Sequence, residues 1–198
     1  IIVTNHAFLL TDLRLQREGG GLLPKGDVLV VDEAHRLDDV ATEHLAVRFD
    51  PDRVFSIISS PLLNGNDGWL AACRFTFLMA LPEVDFLEWS GLFDQVVLLN
   101  LKNLENLSSD IFVELQQVSQ GQHRLALRPL LFDSYGERLA NLCSELCLGL
   151  EEASSAIQVM CRDYEEKFEA SPPPELLRLS QSLAGFGYDL QFLLECDS

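Results

Sequence analysis

The sequence predicts a mainly α protein in which an elongated, antiparallel helical unit is attached to a small βαβ fragment. Residues 27–35 predict the β part, because a Val/Leu run that ends in Asp-Glu-Ala-His is typical of a central parallel strand buried on both faces. From about residue 36 onward, apolar residues recur every three or four positions, as in amphipathic helices. We therefore expect two domains, at residues 1–46 and 47–198.

The first domain is predicted to have the order strand, helix, strand. Ile1–Thr4 predicts a short strand, and Asn5 can cap an amphipathic helix over His6–Gln16. A glycine run breaks this helix, and a Pro-Lys-Gly turn leads into a second strand at Asp27–Val31. Two strands are too few to bury a parallel sheet, so we expect this fragment to be poorly ordered or to pack against the helices. Because the first residue is not Met, we also expect the chain to be a piece of a longer protein.

The second domain is predicted to consist of long helices that pack along apolar stripes. The longest helix runs from Ser134 to Phe168, and Pro172–Pro174 ends it and opens the next one. The stripes advance by three and four residues, which is typical of antiparallel helices with coiled-coil-like seams. Their members are Phe93, Val97, Leu101, Leu104, Ile111, Leu115 and Val118; then Leu139, Leu142, Leu146, Leu150, Ala153, Ile157, Met160 and Tyr164; and then Leu176, Leu179, Leu183, Phe186, Leu190 and Leu193.

Composition narrows the class of protein. With 47% hydrophobic residues the chain can bury a sizeable core, and no apolar stretch approaches the roughly 18 residues of a membrane span. A net charge of −17 argues against the whole chain as a stand-alone nucleic-acid binder, although it does not exclude a local site. The cysteines form no Cys-x-x-Cys pair, which favours buried core thiols over a metal or iron–sulfur ligand set and indicates a reduced, cytoplasmic setting. They are Cys73, Cys143, Cys147, Cys161 and Cys196.

The acid pair at the end of the predicted second strand is the candidate catalytic feature. In open α/β sheets, ligands bind just beyond the carboxyl ends of the strands. A nucleotide-hydrolysing site needs one acid there to hold Mg²⁺ and a second to activate the attacking water. We assign Asp32 to the Mg²⁺ role and Glu33 to water activation and Mg²⁺ contact. His35, which we assign to the catalytic residues with Glu33, follows on the next turn, where it either couples the site to a neighbouring domain or makes only a local hydrogen bond.

Two further observations bear on this site. Thr4, Asn5 and His6 lie at the end of the first predicted strand, on the same edge as Asp32. They are interpreted either as a polar cluster that contacts nucleic acid or a coupled domain, or as an ordinary N-cap with a solvated histidine. The chain contains no G-x-x-x-x-G-K-[ST] segment, so it lacks the phosphate cradle and lysine that ATP binding requires. The isolated chain is therefore expected to be inactive.

These segments resemble the XPD/DinG-like branch of superfamily 2 DNA helicases. The resemblance rests on VTNHAFLL at residues 3–10, DVLVVDEAH at 27–35 and LDDVATEH at 37–44, and it covers about residues 1–46. The helical remainder matches only in position and character, because members of this family insert a helical arch after the Asp-Glu-Ala-His box. The resemblance implies a fragment of P-loop motor domain 1 at residues 1–46 and an arch-like insertion at 47–198.

The resemblance also implies a function for the full-length protein. It would be an ATP-dependent 5′-to-3′ DNA helicase that uses ATP and Mg²⁺ and moves along single-stranded DNA. Family members often carry a [4Fe–4S] domain between the phosphate loop and the Thr-Asn-His segment. All five cysteines of this chain instead follow the acid box, which is the Asp-Glu-Ala-His segment at residues 32–35. Any such cluster is therefore expected to take no ligand from this chain.

A second interpretation treats the helical part as a protein-interaction module without motor activity. The predicted helix from Ser134 to Phe168 is rich in acidic residues, which favours a solvated face, a site for a basic partner or a wall that repels the nucleic-acid strand. The two interpretations are compatible, because an arch can also offer surfaces to protein partners. We expect no membrane partner in either case.

Overall fold

Helices make up most of the structure, a computed structural model that describes residues 2–17, 21–24, 28–37, 40–41, 49–63, 68–119 and 136–195. By its internal contacts the chain divides into two units, Ile1–Arg48 and Phe49–Ser198. The expected boundary between residues 46 and 47 lies outside the described residues.

The first unit is organised around helix α1, His6–Arg17. The Asn5 side chain caps this helix, because its Oδ1 atom accepts the Phe8 backbone N–H at 2.8 Å. On the same helix, Asp12 is buried, and its carboxylate accepts the backbone N–H groups of Leu22 and Leu23. A buried carboxylate is stable only when hydrogen bonds replace its lost water. Asp12 therefore ties residues 21–24 back to α1.

The predicted βαβ fragment is not supported. Neither residues 2–5 nor residues 28–31 form a strand, and within the described ranges no strand occurs. Val28 and Val30 are 83% and 86% exposed, whereas the prediction required burial on both faces. The reason is physical: a parallel strand needs neighbouring strands for its backbone and helices over both faces, and the part of the chain that the structure describes supplies these residues with neither. The Pro-Lys-Gly turn predicted before the second strand lies largely outside the described residues.

The second unit is helical, as predicted. Two helical segments, residues 51–62 and 83–119, are continuous, and each contains a π-helical stretch. The wider π-helical turn shifts the register of the side chains that follow it. Its elements are α2 Pro51–Val54, a π-helical stretch Phe55–Ser59 and α3 Ser60–Leu62; α4 Trp69–Met79; α5 Glu83–Phe93, a π-helical stretch Asp94–Leu99 and α6 Asn100–Ser119; α7 Gly136–Phe168; and α8 Pro174–Glu195.

Helix α7 lies between α6 and α8 and is antiparallel to both. Cys147 contacts Gly187 and Ser154 contacts Ser180, so the pairing runs in opposite directions along α7 and α8. Glycine permits the close approach on both sides of α7. A Cβ atom on Gly149 would lie 3.0 Å from a methyl of Leu104 on α6, and one on Gly187 would lie 3.3 Å from Cβ of Leu150.

The predicted apolar stripes form the core of this unit. Nearly all their members are buried; Leu115, Leu142 and Leu193 are half-buried, and the Val118 side chain lies outside the described residues. Helix α7 ends at Phe168 and α8 begins at Pro174, as the proline run predicts. Between them, Glu169 adopts a left-handed backbone (φ 50°), the conformation that commonly terminates helices. Among the described helices, none is long and apolar enough to cross a membrane.

A cluster of aromatic rings packs the hairpin formed by α4 and α5 against the end of α7. The Phe77 ring centroid lies 4.4 Å from that of Tyr164 and 5.5 Å from that of Phe93. The buried Tyr164 hydroxyl donates to the backbone carbonyl of Phe77 at 3.1 Å, so the cluster leaves no polar atom unsatisfied at that point. Lys167 covers the cluster: its Nζ atom lies 2.8 Å from Asp85 Oδ1 and 5.7 Å from the Trp89 ring.

The prediction of core thiols is confirmed for Cys73, Cys143 and Cys161, which are buried and free, whereas Cys196 lies outside the described residues. Burial raises the pKa of Cys73 and of Cys143 to about 12, and that of Cys161 to about 11. Desolvation disfavours the thiolate, which is the form that reacts and binds metals. These three side chains therefore behave as small apolar groups.

Cys143 and Cys147, one helical turn apart on α7, provide a matched pair for testing this burial. In single-cysteine variants at pH 8, we expect Cys143 to react with a thiol reagent at least about 10-fold more slowly than the half-buried Cys147, because its thiolate is suppressed and covered. In denaturant the two rates should converge. Equal rates in the folded chain would contradict the packing of α7.

Candidate nucleotide-hydrolysis site

The acid pair lies on a tight turn. Asp32 Oδ1 accepts the backbone N–H of Glu33 at 2.8 Å. Glu33 adopts a left-handed backbone (φ 48°, ψ 44°) and precedes a 3₁₀ turn, Ala34–Arg36, in which the Arg36 N–H donates to the Glu33 carbonyl at 2.9 Å. For a residue with a side chain this conformation costs about 1–3 kcal/mol, and such residues cluster at functional sites.

The side chains of this turn are open to solvent. Asp32, Glu33 and His35 are all exposed. Glu33 Oε2 lies 3.3 Å from Arg36 Nη1, and the two side chains are 57% and 65% exposed. An ion pair this exposed contributes little to stability. The Glu33 carboxylate can therefore exchange Arg36 for water or for another ligand.

The Thr4–His6 segment contacts the acid box through the backbone carbonyl of Asp32. His6 Nε2 lies 2.8 Å from the carbonyl oxygen of Asp32, 26 residues along the chain. A carbonyl oxygen can only accept, so His6 carries a hydrogen on Nε2 and donates it. Asn5 is the N-cap that the plainer interpretation expected, whereas His6 is half-buried and bonded rather than solvated. Thr4 is exposed, with its hydroxyl 3.5 Å from the Asn5 carbonyl.

The donor chemistry fits a magnesium ion that is bound together with a nucleotide. Mg²⁺ takes oxygen ligands and is usually held by one or two carboxylates, with phosphate oxygens and water completing an octahedron. Asp32 and Glu33 are adjacent, exposed carboxylates of that kind. No group of three or more His, Cys, Asp or Glu side chains within the described ranges could hold a metal ion.

Comparison with known proteins finds similarity in a short segment. Among curated proteins, the one named ATP-dependent DNA helicase YoaA from Escherichia coli (strain K12) is 40% identical over 45 residues, which is 22% of this chain and 7% of that protein. The protein of the same name from Haemophilus influenzae is 29% identical over 58 residues, which is 29% of this chain and 9% of that protein. No protein-family model and no solved structure matches. The chain thus aligns with less than a tenth of the length of these relatives, and the matches support a helicase-related origin for that segment.

Proposed function

We propose that the chain is part of an ATP-dependent DNA helicase and contributes the acid box of its hydrolytic site. The observation that carries the proposal is the exposed Asp32–Glu33 pair, held on a left-handed turn with His6 bonded to the carbonyl of Asp32. The short similarity to ATP-dependent DNA helicases supports the same assignment.

Each residue of the turn has a distinct role in this proposal. Asp32 holds Mg²⁺ against the phosphates of ATP, directly or through water, and Glu33 orients and deprotonates the water that attacks the γ-phosphate. His35, exposed on the 3₁₀ turn, couples the site to a neighbouring domain. The phosphate-binding loop and its lysine come from outside this chain, which has no such segment.

In this proposal the two units have different roles in the helicase. Thr4 and Asn5, which precede His6 in the chain, contact the nucleic acid or the coupled domain. The helical unit is the arch-like insertion that flanks the path of single-stranded DNA, and any [4Fe–4S] cluster of the full-length protein takes its ligands elsewhere. A reduced, cytoplasmic setting fits the free, buried thiols of this unit.

The second candidate function is that of a protein-docking module. The observation that favours it is a set of apolar side chains left exposed on α4 and α5, since such surfaces often mark sites of association. They are Phe75 (65% exposed), Met79 (63%), Val84 (87%) and Leu87 (83%). A helicase arch can also carry a docking surface, so unwinding activity separates a motor from a pure docking module.

Unwinding of tailed duplexes tests the proposed function. Given ATP and Mg²⁺, the full-length protein is expected to separate a duplex that carries a 5′ single-stranded tail and to leave the same duplex with a 3′ tail intact. A non-hydrolysable ATP analogue is the control, because it occupies the site without releasing energy. If neither duplex is separated, the result would contradict motor activity and favour the docking module. Unwinding of the duplex with the 3′ tail would contradict the 5′-to-3′ polarity.

A further inference from the structure

The peptide unit between Asp32 and Glu33 is held at both of its polar ends. Its carbonyl oxygen accepts a hydrogen bond from His6 Nε2 at 2.8 Å, and its N–H donates to Asp32 Oδ1, also at 2.8 Å. The orientation of this one peptide fixes the direction in which both acid side chains leave the backbone. It also sets the φ angle of Glu33, whose left-handed conformation the residue does not favour by itself.

His6 is suited to hold this peptide because its own position is fixed. It is the first residue of α1, directly after the Asn5 cap, and the Asn5 carbonyl accepts the Leu9 N–H at 3.1 Å. The imidazole is half-buried and reaches the carbonyl of Asp32 from the first turn of α1. The side chains of Asp32 and Glu33, by contrast, are exposed, and the contacts described for them are local ones, to the Glu33 N–H and to Arg36.

We propose that His6 is a positioning residue for the acid box, acting through its hydrogen bond to the Asp32 carbonyl and not through contact with nucleic acid. The inference rests on the proposed function. Some residues do not bind a metal themselves but orient the side chains that do. Removing such a residue typically lowers activity by about 10- to 100-fold. Loss of His6 should therefore slow hydrolysis without weakening the binding of single-stranded DNA.

Three substitutions of His6 separate positioning from nucleic-acid contact. Glutamine places an amide nitrogen where Nε2 lies and can donate the same bond, whereas asparagine places it where Nδ1 lies and falls short. In the full-length protein we expect His6→Ala and His6→Asn to lower the kcat of ATP hydrolysis at saturating single-stranded DNA by about 10-fold or more, and His6→Gln to restore most of it. The DNA concentration that gives half-maximal stimulation should not change in any of the three.

Amide hydrogen exchange over residues 28–37 provides a readout that does not depend on hydrolysis. We expect His6→Ala to accelerate exchange in this segment and His6→Gln to restore protection. A rise in the half-maximal DNA concentration with kcat unchanged, or a glutamine variant as defective as alanine in both measurements, would overturn the positioning role. If the unsubstituted protein shows no DNA-stimulated hydrolysis, the proposed function fails, while the exchange measurement still decides whether His6 holds the turn.

Discussion

Replacing Phe77 by alanine is expected to destabilise the helical unit by about 3–5 kcal/mol, the range for removing a large aromatic side chain from a packed core. Phe77 is fully buried, and its ring lies within 5.9 Å, centroid to centroid, of the rings of Trp89, Phe93 and Tyr164. These partners belong to α5 and α7, so the cavity would open where three helices meet. Its walls are rings already packed on one another, which limits collapse into the space.

The loss of unfolding free energy in Phe77→Ala is measured by urea denaturation of the chain. The fluorescence of Trp89, in a Trp69→Phe background, reports the unfolding. Phe75→Ala is the matched control, because Phe75 lies on the same helix but is 65% exposed. That change should shift the free energy of unfolding by no more than about 0.5 kcal/mol. Equal losses for the two variants would contradict the assignment of the buried face of α4.

The helical unit could be predicted well because a helix satisfies its backbone hydrogen bonds within its own segment. A three-and-four spacing such as Leu146, Leu150, Ala153 and Ile157 therefore reports which face is buried, without knowledge of the partner. The proline run fixed the end of α7 and the start of α8 for an equally local reason. The contacts between helices, such as Lys167 over the Trp89 ring, could not be predicted, because nothing in the local pattern relates residues so far apart.

The strand prediction failed because a strand depends on partners that a local pattern does not show. Val28–Val31 has the composition of a central strand, yet the side chains of Val28, Leu29 and Val30 are exposed. Helix α1 in the same unit was predicted correctly, from its cap onward. The difference is that the hydrogen bonds of α1 lie within it, whereas those of a parallel strand must be supplied by neighbouring strands.

The proximity of His6 and Asp32 was predicted from the sequence, but the geometry of their contact was not. Sequence reasoning placed His6 and Asp32 on a common edge, and the structure brings them into hydrogen-bonding distance although no sheet is present in the described residues. Residue type does not indicate that His6 bonds the backbone carbonyl of Asp32 rather than its carboxylate. Residue type does not indicate the left-handed conformation of Glu33 either, because a positive φ is usually marked by glycine or asparagine.

In the proposed function, Glu33 activates the attacking water during DNA-stimulated ATP hydrolysis. Glu33→Gln keeps the size of the side chain and its capacity to accept one hydrogen bond, but it removes the carboxylate that takes the proton. Loss of a general base typically costs about 10²- to 10⁴-fold in rate, so DNA-stimulated turnover by the full-length protein should fall by at least about 100-fold while ATP still binds.

Glu166→Gln is the control for this measurement. Glu166 is also exposed and faces an arginine, with its Oε1 atom 3.9 Å from Arg162 Nε, but it lies on α7, far along the chain from the acid box. We would therefore measure ATP hydrolysis with and without single-stranded DNA for the unsubstituted protein and both variants. Stimulated turnover is expected to survive Glu166→Gln and to be lost in Glu33→Gln. Turnover that is absent, or that survives Glu33→Gln, would contradict the role of Glu33 and favour the docking module.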